Sequence, residues 1–149
     1  MISHIADAVF PGISISGVFI TFKIKYMQLT TNFTLQEFNC NDGTPVPADL
    51  IPNVQKLANN LQILRDHLGE SIHVNSGYRT PAYNKKVGGK SLSQHLKGTA
   101  ADITCKSKSP KQLAAIIEKL ITAGKLKFGG MGIYPGFVHV DIRAGKARW

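Results

Sequence analysis

Cysteine is scarce in this sequence. Cys40 and Cys105 stand alone among 149 residues. Two cannot build a disulfide framework, and the absence of a Cys-x-x-Cys pair argues against a structural thiolate zinc site. They read as two small buried thiols, with a single Cys40–Cys105 bridge left open. Acidic residues are also few: 9 Asp and Glu against 18 Lys and Arg give a formal net charge of +9. Such an excess implies an anionic partner or surface, whether nucleic acid, membrane or an acidic cell-wall polymer. The lysines and arginines scatter from Lys85 to Arg148 without forming a block, which favours general attraction over a shaped groove. No nucleic-acid recognition motif, aromatic platform or basic helix is present, so no specific nucleic-acid partner is expected. Gly129-Gly130-x-Gly132 lacks a P-loop lysine and a following helix, and reads as strand and turn glycine.

A long hydrophobic run is missing too. Ala8 to Phe22 is apolar but broken by Pro11, Gly12 and Gly17, and falls short of the roughly 20 apolar residues of a membrane-spanning helix. Nor does it fit a secretory signal, because Asp7 and no Lys or Arg precedes it. An atypical membrane anchor, an extra strand, or an extension outside the domain are the three readings. The change of composition at Met27 favours the extension, residues 1–26, ahead of a domain spanning 27–149. Membrane contact is expected only if residues 1–26 are an anchor. Hydrophobic content of 43% and charged content of 18% describe one ordinary globular domain of this length.

From Met27 onward the pattern is regular. Thr34-Leu35-Gln36-Glu37 fits a capping box for a short helix, flanked by Phe33 and Phe38. Asn41-Asp42-Gly43 and Pro45-Val46-Pro47 read as a turn and a rigid connector. Val54, Leu57, Leu61, Leu64 and Leu68 recur at helical spacing and stop at Gly69. Ile72 to Asn75 is a short strand. Tyr78 to Gln94, rich in Gly, Ser, Lys and Asn, is expected to be a long functional loop. Thr99 to Cys105 reads as a strand entering the core. Ser109-Pro110 opens a second long helix that Gly124 closes. Lys127 to Tyr134 and Gly136 to Arg143 form a hairpin around Pro135-Gly136. The order predicts an α+β domain with a small antiparallel sheet and flanking helices.

The chemistry concentrates in Ser93-Gln94-His95-Leu96-Lys97-Gly98-Thr99-Ala100-Ala101-Asp102 and in Phe137-Val138-His139-Val140-Asp141. Two imidazoles and a carboxylate are the ligand chemistry of a catalytic zinc site, where three protein ligands leave a fourth position open. A bend at Gly98 would let His95 and Asp102 reach one ion. On an extended segment His139 and Asp141 share a face, while Val138, Val140 and Ile142 point to the core. Asp102, between Ala101 and Ile103, needs a partner if buried, and Arg79 is the alternative to a metal. His4, His67 and His73 lie outside any ligand pattern. Tyr78 and Tyr134 are read as packing residues when taken alone.

Ser76-Gly77-Tyr78-Arg79-Thr80-Pro81, then Ser93-x-His95-x-x-Gly98-x-Ala100-x-Asp102, then His139-x-Asp141, resemble the zinc peptidases that cut peptidoglycan peptides. That superfamily holds D-alanyl-D-alanine carboxypeptidases and phage L-alanyl-D-glutamate endopeptidases and shares its fold with the hedgehog signalling domain. The resemblance spans roughly Leu29 to Arg143 and is to the small single-domain members. It implies one zinc ion per chain on His95, Asp102 and His139. It also implies that Arg79 holds or polarises a substrate carbonyl or carboxylate, that Ser93 hydrogen-bonds substrate, and that Tyr78 and Gln94 line the cleft. The protein would be a monomer acting on peptidoglycan peptides at the cell wall. It would arrive there as a phage lysin released from the host cytoplasm, or work at the periplasmic or extracellular face.

One position departs from the pattern. Many relatives carry an acidic general base three residues before the last histidine, where this chain has Gly136. Asp141 then reads either as the base or as the acceptor that orients a zinc-ligating histidine. The second role fits the ~6.5–7 Å Cα separation of same-face strand neighbours better. Glu37 and Asp42 are more remote candidates. Because Gly136 carries no acid, a catalytically inactive, metal-containing peptidoglycan-binding module on the same scaffold is the competing expectation.

Overall fold

A computed structural model describes residues 27–149; the extension and its three readings lie outside the described residues. Five strands of the described residues form one sheet in the order β1-β2-β4-β3-β5. They are β1 (Ile72–Ser76), β2 (Ala100–Cys105), β3 (Gly130–Ile133), β4 (Val138–Asp141) and β5 (Ala147–Arg148). Among the described residues three α-helices accompany the sheet: α1 (Ile51–Leu68), α2 (Pro81–Lys86) and α3 (Pro110–Thr122). Among the described residues no helix is long and apolar enough to cross a membrane.

Each long helix begins and ends where its local chemistry dictates. In α1, Val54, Leu57, Ala58, Leu61 and Leu64 form the buried stripe. The helix ends because Gly69 adopts a left-handed φ of 67° and its N–H caps the Arg65 carbonyl, a conformation open to glycine. Helix α3 starts at Ser109, whose hydroxyl accepts the Gln112 N–H, with Pro110 at the first helical position. It buries Leu113, Ala114, Ile117 and Leu120. Upstream, Leu35–Phe38 is a 3-10 turn in which Glu37 reaches back to accept the Thr34 N–H at 2.7 Å. Phe33 and Phe38, both buried, pack with ring centroids 6.1 Å apart.

One hydrophobic cluster joins α1 and α3 to the inner face of the sheet. Strand alternation decides which residues enter it. Ala101 and Ile103 of β2 lie opposite Val140 and Val138 of β4, and all four are fully buried in that cluster. The residues between them, Asp102 on β2 and His139 and Asp141 on β4, take the other face. Cys40 and Cys105 are both buried and free, with no disulfide between them.

Two features differ from the sequence-based expectation. Tyr78–Gln94 is not a continuous loop. Thr80 caps α2 by accepting the Tyr83 N–H, and Pro81 occupies the first helical position. The helix is only six residues long, too short for an apolar period to show. The sheet is also not wholly antiparallel, because β5 pairs parallel to β3. A strand of two residues leaves no alternation to read in the sequence.

Candidate metal centre

Three elements converge on one point. Ser93 opens a 3-10 turn, Gln94–Lys97, by accepting the His95 N–H, and Gly98 ends it with a left-handed φ of 67°. That turn delivers His95 beside the start of β2. Asp102 on β2 and His139 on β4 are direct cross-strand partners. One ligand atom from each of His95, Asp102 and His139 lies within 4.8 Å of the others, and all three residues are buried. His67 and His73 are exposed and belong to no such grouping among the described residues.

The hydrogen bonds fix the ring tautomers. Nδ1 of His95 lies 2.7 Å from the Gly77 carbonyl. A carbonyl only accepts, so Nδ1 carries the proton and the Nε2 lone pair faces Asp102 Oδ1 at 3.2 Å. Nε2 of His139 lies 2.9 Å from Asp141 Oδ2. That carboxylate is held ionised: burial would raise its pKa, but hydrogen bonds from His139 and Arg143 outweigh it and keep it below the usual range. His139 Nε2 therefore donates, and the Nδ1 lone pair faces Asp102 Oδ1 at 3.0 Å. Two imidazole lone pairs and a carboxylate oxygen thus point at each other, an arrangement that needs a cation at its centre. The donor set, the burial and the outward hydrogen bonds fit a zinc-type ion. Where protons fill the gap instead, burial lowers the His139 pKa but the two aspartates raise it above the ordinary value. The same imidazoles hold Asp102 below the carboxylate range despite its burial.

The surroundings tie these groups down. Arg79 donates Nη2 to Asp102 Oδ2 at 2.9 Å and Nε to Ser76 Oγ at 3.1 Å. One carboxylate oxygen thus faces the imidazoles and the other is taken by the guanidinium. Arg143 binds Asp141 in a fork, Nε to Oδ1 and Nη2 to Oδ2, both at 2.7 Å. Among the described residues the buried polar side chains are Asn84, His95, Asp102, His139 and Asp141. Asn84 supports the loop by donating to the Lys90 carbonyl. The sheet makes room by omission: Gly130 and Gly132 of β3 lie opposite Asp141 and His139. A Cβ on Gly130 would run into the Asp141 carboxylate, and one on Gly132 into the Trp149 indole.

The centre opens into a cavity of about 590 Å³. Arg79, Lys90, Ser93, Gln94 and Arg143 line its polar side, and Tyr134, Phe137 and Trp149 its aromatic side. Among the described residues Asp102 is the single carboxylate residue in that lining. Ser93 and Gln94 are in this lining. Tyr78 does not line it: its side chain is buried in the hydrophobic cluster, because β1 and the Leu35–Phe38 turn close over it through the Tyr78 N–H to Phe38 carbonyl bond. Asp141 has no solvent exposure. The sequence reading missed Arg143 and Trp149. Same-face alternation from His139 through Asp141 could have flagged Arg143; nothing local flags Trp149.

A buried two-histidine, one-carboxylate centre at the floor of an open cavity is the donor set of a three-ligand zinc site. The family model described as Peptidase M15 matches residues 31–141, and the chain belongs to that family. It is also similar to the Zinc D-Ala-D-Ala carboxypeptidase of Streptomyces albus G, with 33% identity over 125 residues, 79% of this chain. The chain spans about half that relative, 48% of its length.

Proposed function

We propose that this protein is a zinc-dependent peptidase that hydrolyses peptide bonds in peptidoglycan stem peptides or cross-links. The observation that carries the reading is the convergence of His95 Nε2, Asp102 Oδ1 and His139 Nδ1, each with its other polar atom already occupied. These residues would hold one zinc per chain, whose Lewis acidity polarises a carbonyl and lowers the pKa of water to about 7. The protein's own groups do the rest. The Gly77 carbonyl and Asp141 hold the two imidazoles in their ligating tautomers. Asp141 acts as an orienting acceptor rather than a base, because it is fully buried and shared between His139 and Arg143. Arg79 fixes Asp102 and faces the cavity, where its charge suits an oxyanion or a substrate carboxylate. Ser93 and Gln94 offer polar contacts on the same wall. The net charge of +9 draws the monomer to an anionic wall.

Purified murein incubated with the zinc-loaded protein should release peptide fragments. A chelator should stop the release and added zinc restore it. Fragment masses then decide between loss of a terminal residue, a carboxypeptidase, and an internal cut, an endopeptidase. The second reading, a zinc-containing binding module without turnover, draws on the absence, among the described residues, of any carboxylate but Asp102 from the cavity lining. Murein retained by zinc-loaded protein with no fragment released would establish it. A chain beginning at Met27 should fold and hold zinc, since residues 1–26 contribute no site residue to this reading.

A further inference from the structure

We propose that Trp149 is a positioning residue for the metal centre: its indole braces His139 and Arg143, and through Arg143 the carboxylate that orients His139. The inference rests on the metal reading above. The indole centroid lies 5.2 Å from that of the His139 imidazole, and the Arg143 guanidinium carbon sits 5.4 Å from the ring centroid. The second distance is within reach of a cation–π contact. Arg143 in turn forks onto Asp141, and Asp141 accepts from His139 Nε2. Trp149 therefore touches the last ligand directly and again at the far end of its hydrogen-bond chain.

The fold holds the indole in place. The Ile133 N–H donates to the Trp149 carbonyl at 2.9 Å, and the Trp149 N–H donates to Met131 at 3.3 Å. Nε1 donates to the Tyr134 hydroxyl at 2.8 Å. Beneath it lies Gly132, the cross-strand partner of His139, whose missing side chain leaves the space that the indole fills. Trp149 is 49% exposed, so hydrophobic burial alone explains little of this anchoring.

The test measures zinc affinity of the full chain by competition with a chromophoric chelator, alongside thermal unfolding of the zinc-free protein. Trp149→Ala should bind zinc about 10-fold more weakly, the scale seen when a group behind a ligand is lost. Its zinc-free unfolding midpoint should stay near that of the wild type. Trp149→Phe keeps a ring over His139 and Arg143 and should recover most of the affinity. Gly132→Ala places a methyl where the indole sits, leaves every ligand intact, and should weaken zinc in the same direction. Wild-type affinity in both Trp149→Ala and Gly132→Ala would overturn the proposal, as would an equal loss in Trp149→Phe and Trp149→Ala. A lowered unfolding midpoint with unchanged zinc affinity would overturn it too, by assigning Trp149 to the fold alone. A wild-type chain that takes up no zinc would sink the metal reading itself, and this proposal with it.

Discussion

The two faces of the β2–β4 pair are made of alternating residues and do opposite work. On one face Ala101, Ile103, Val138 and Val140 are fully buried against α1 and α3. On the other, Asp102, His139 and Asp141 are also buried but held by hydrogen bonds. The first face is stabilised by removing apolar area from water. The second tolerates burial only because each polar atom has a partner; among the described residues no buried side-chain nitrogen or oxygen lacks one. The lesson is that stability and function are separated by a single residue step along the same strands. Substitutions one position apart should therefore fail in different ways.

The sharpest break pairs His139→Ala with Ile103→Ala. Removing the imbricated ligand His139 should abolish stoichiometric zinc, measured by elemental analysis, while the apolar face still folds the chain. Ile103→Ala should do the reverse, costing about 2–5 kcal/mol in denaturant unfolding with zinc retained by the folded fraction. Full zinc in His139→Ala would refute the ligand set. Next comes Arg79→Lys, which keeps a charge beside Asp102 but loses the guanidinium fork. Turnover on peptidoglycan should fall on the order of 10²-fold, as for a lost preorganised donor. An unchanged rate would remove Arg79 from the reaction.

Asp141→Asn probes the support behind the polar face. An orienting acceptor predicts zinc affinity weakened by about 10–100-fold. A base predicts instead that zinc stays and activity goes. The smallest effect lies at the edge of the sheet, where Arg148 of β5 donates Nε to Glu118 of α3 at 2.7 Å. That hydrogen bond keeps the Glu118 pKa below its ordinary 4.5. A depressed pKa means the stabilisation is present above the ordinary value and lost as pH falls through the folded one. Wild type should therefore lose about 0.2–1 kcal/mol on acidification that Glu118→Gln does not lose, read from unfolding curves at neutral and acidic pH.

Much of this was legible before any coordinates. Helical spacing, Gly69 and the Ser109-Pro110 start marked α1 and α3, because local backbone preferences and apolar period act within a few residues. Period-two alternation put His139 and Asp141 on one face and Val138 and Val140 on the other. The motif residues His95, Asp102 and His139 stood out through their order along the chain. What stayed hidden depends on partners distant in sequence. The bend at Gly98 and the Arg79–Asp102 pairing were readable, whereas the Gly77 carbonyl behind His95 and the Trp149 indole beside His139 join segments that only folding brings together. Tyr78 went to the core, not the cleft, for the same reason.

The sequence by itself determined the elements, the two-faced strands and the donor chemistry, since each follows from neighbours along the chain. Tertiary structure alone decided the tautomers, the burial of Asp141, and the use of Gly130 and Gly132 as space for a carboxylate and an indole. Those depend on which strand lies beside which; the β3–β4 hairpin is local, but the pairing of β2 with β4 and of β3 with β5 is a long-range choice that the local pattern does not encode. A glycine in a strand looks like a weakness in the sequence; only the neighbouring strand shows what it makes room for.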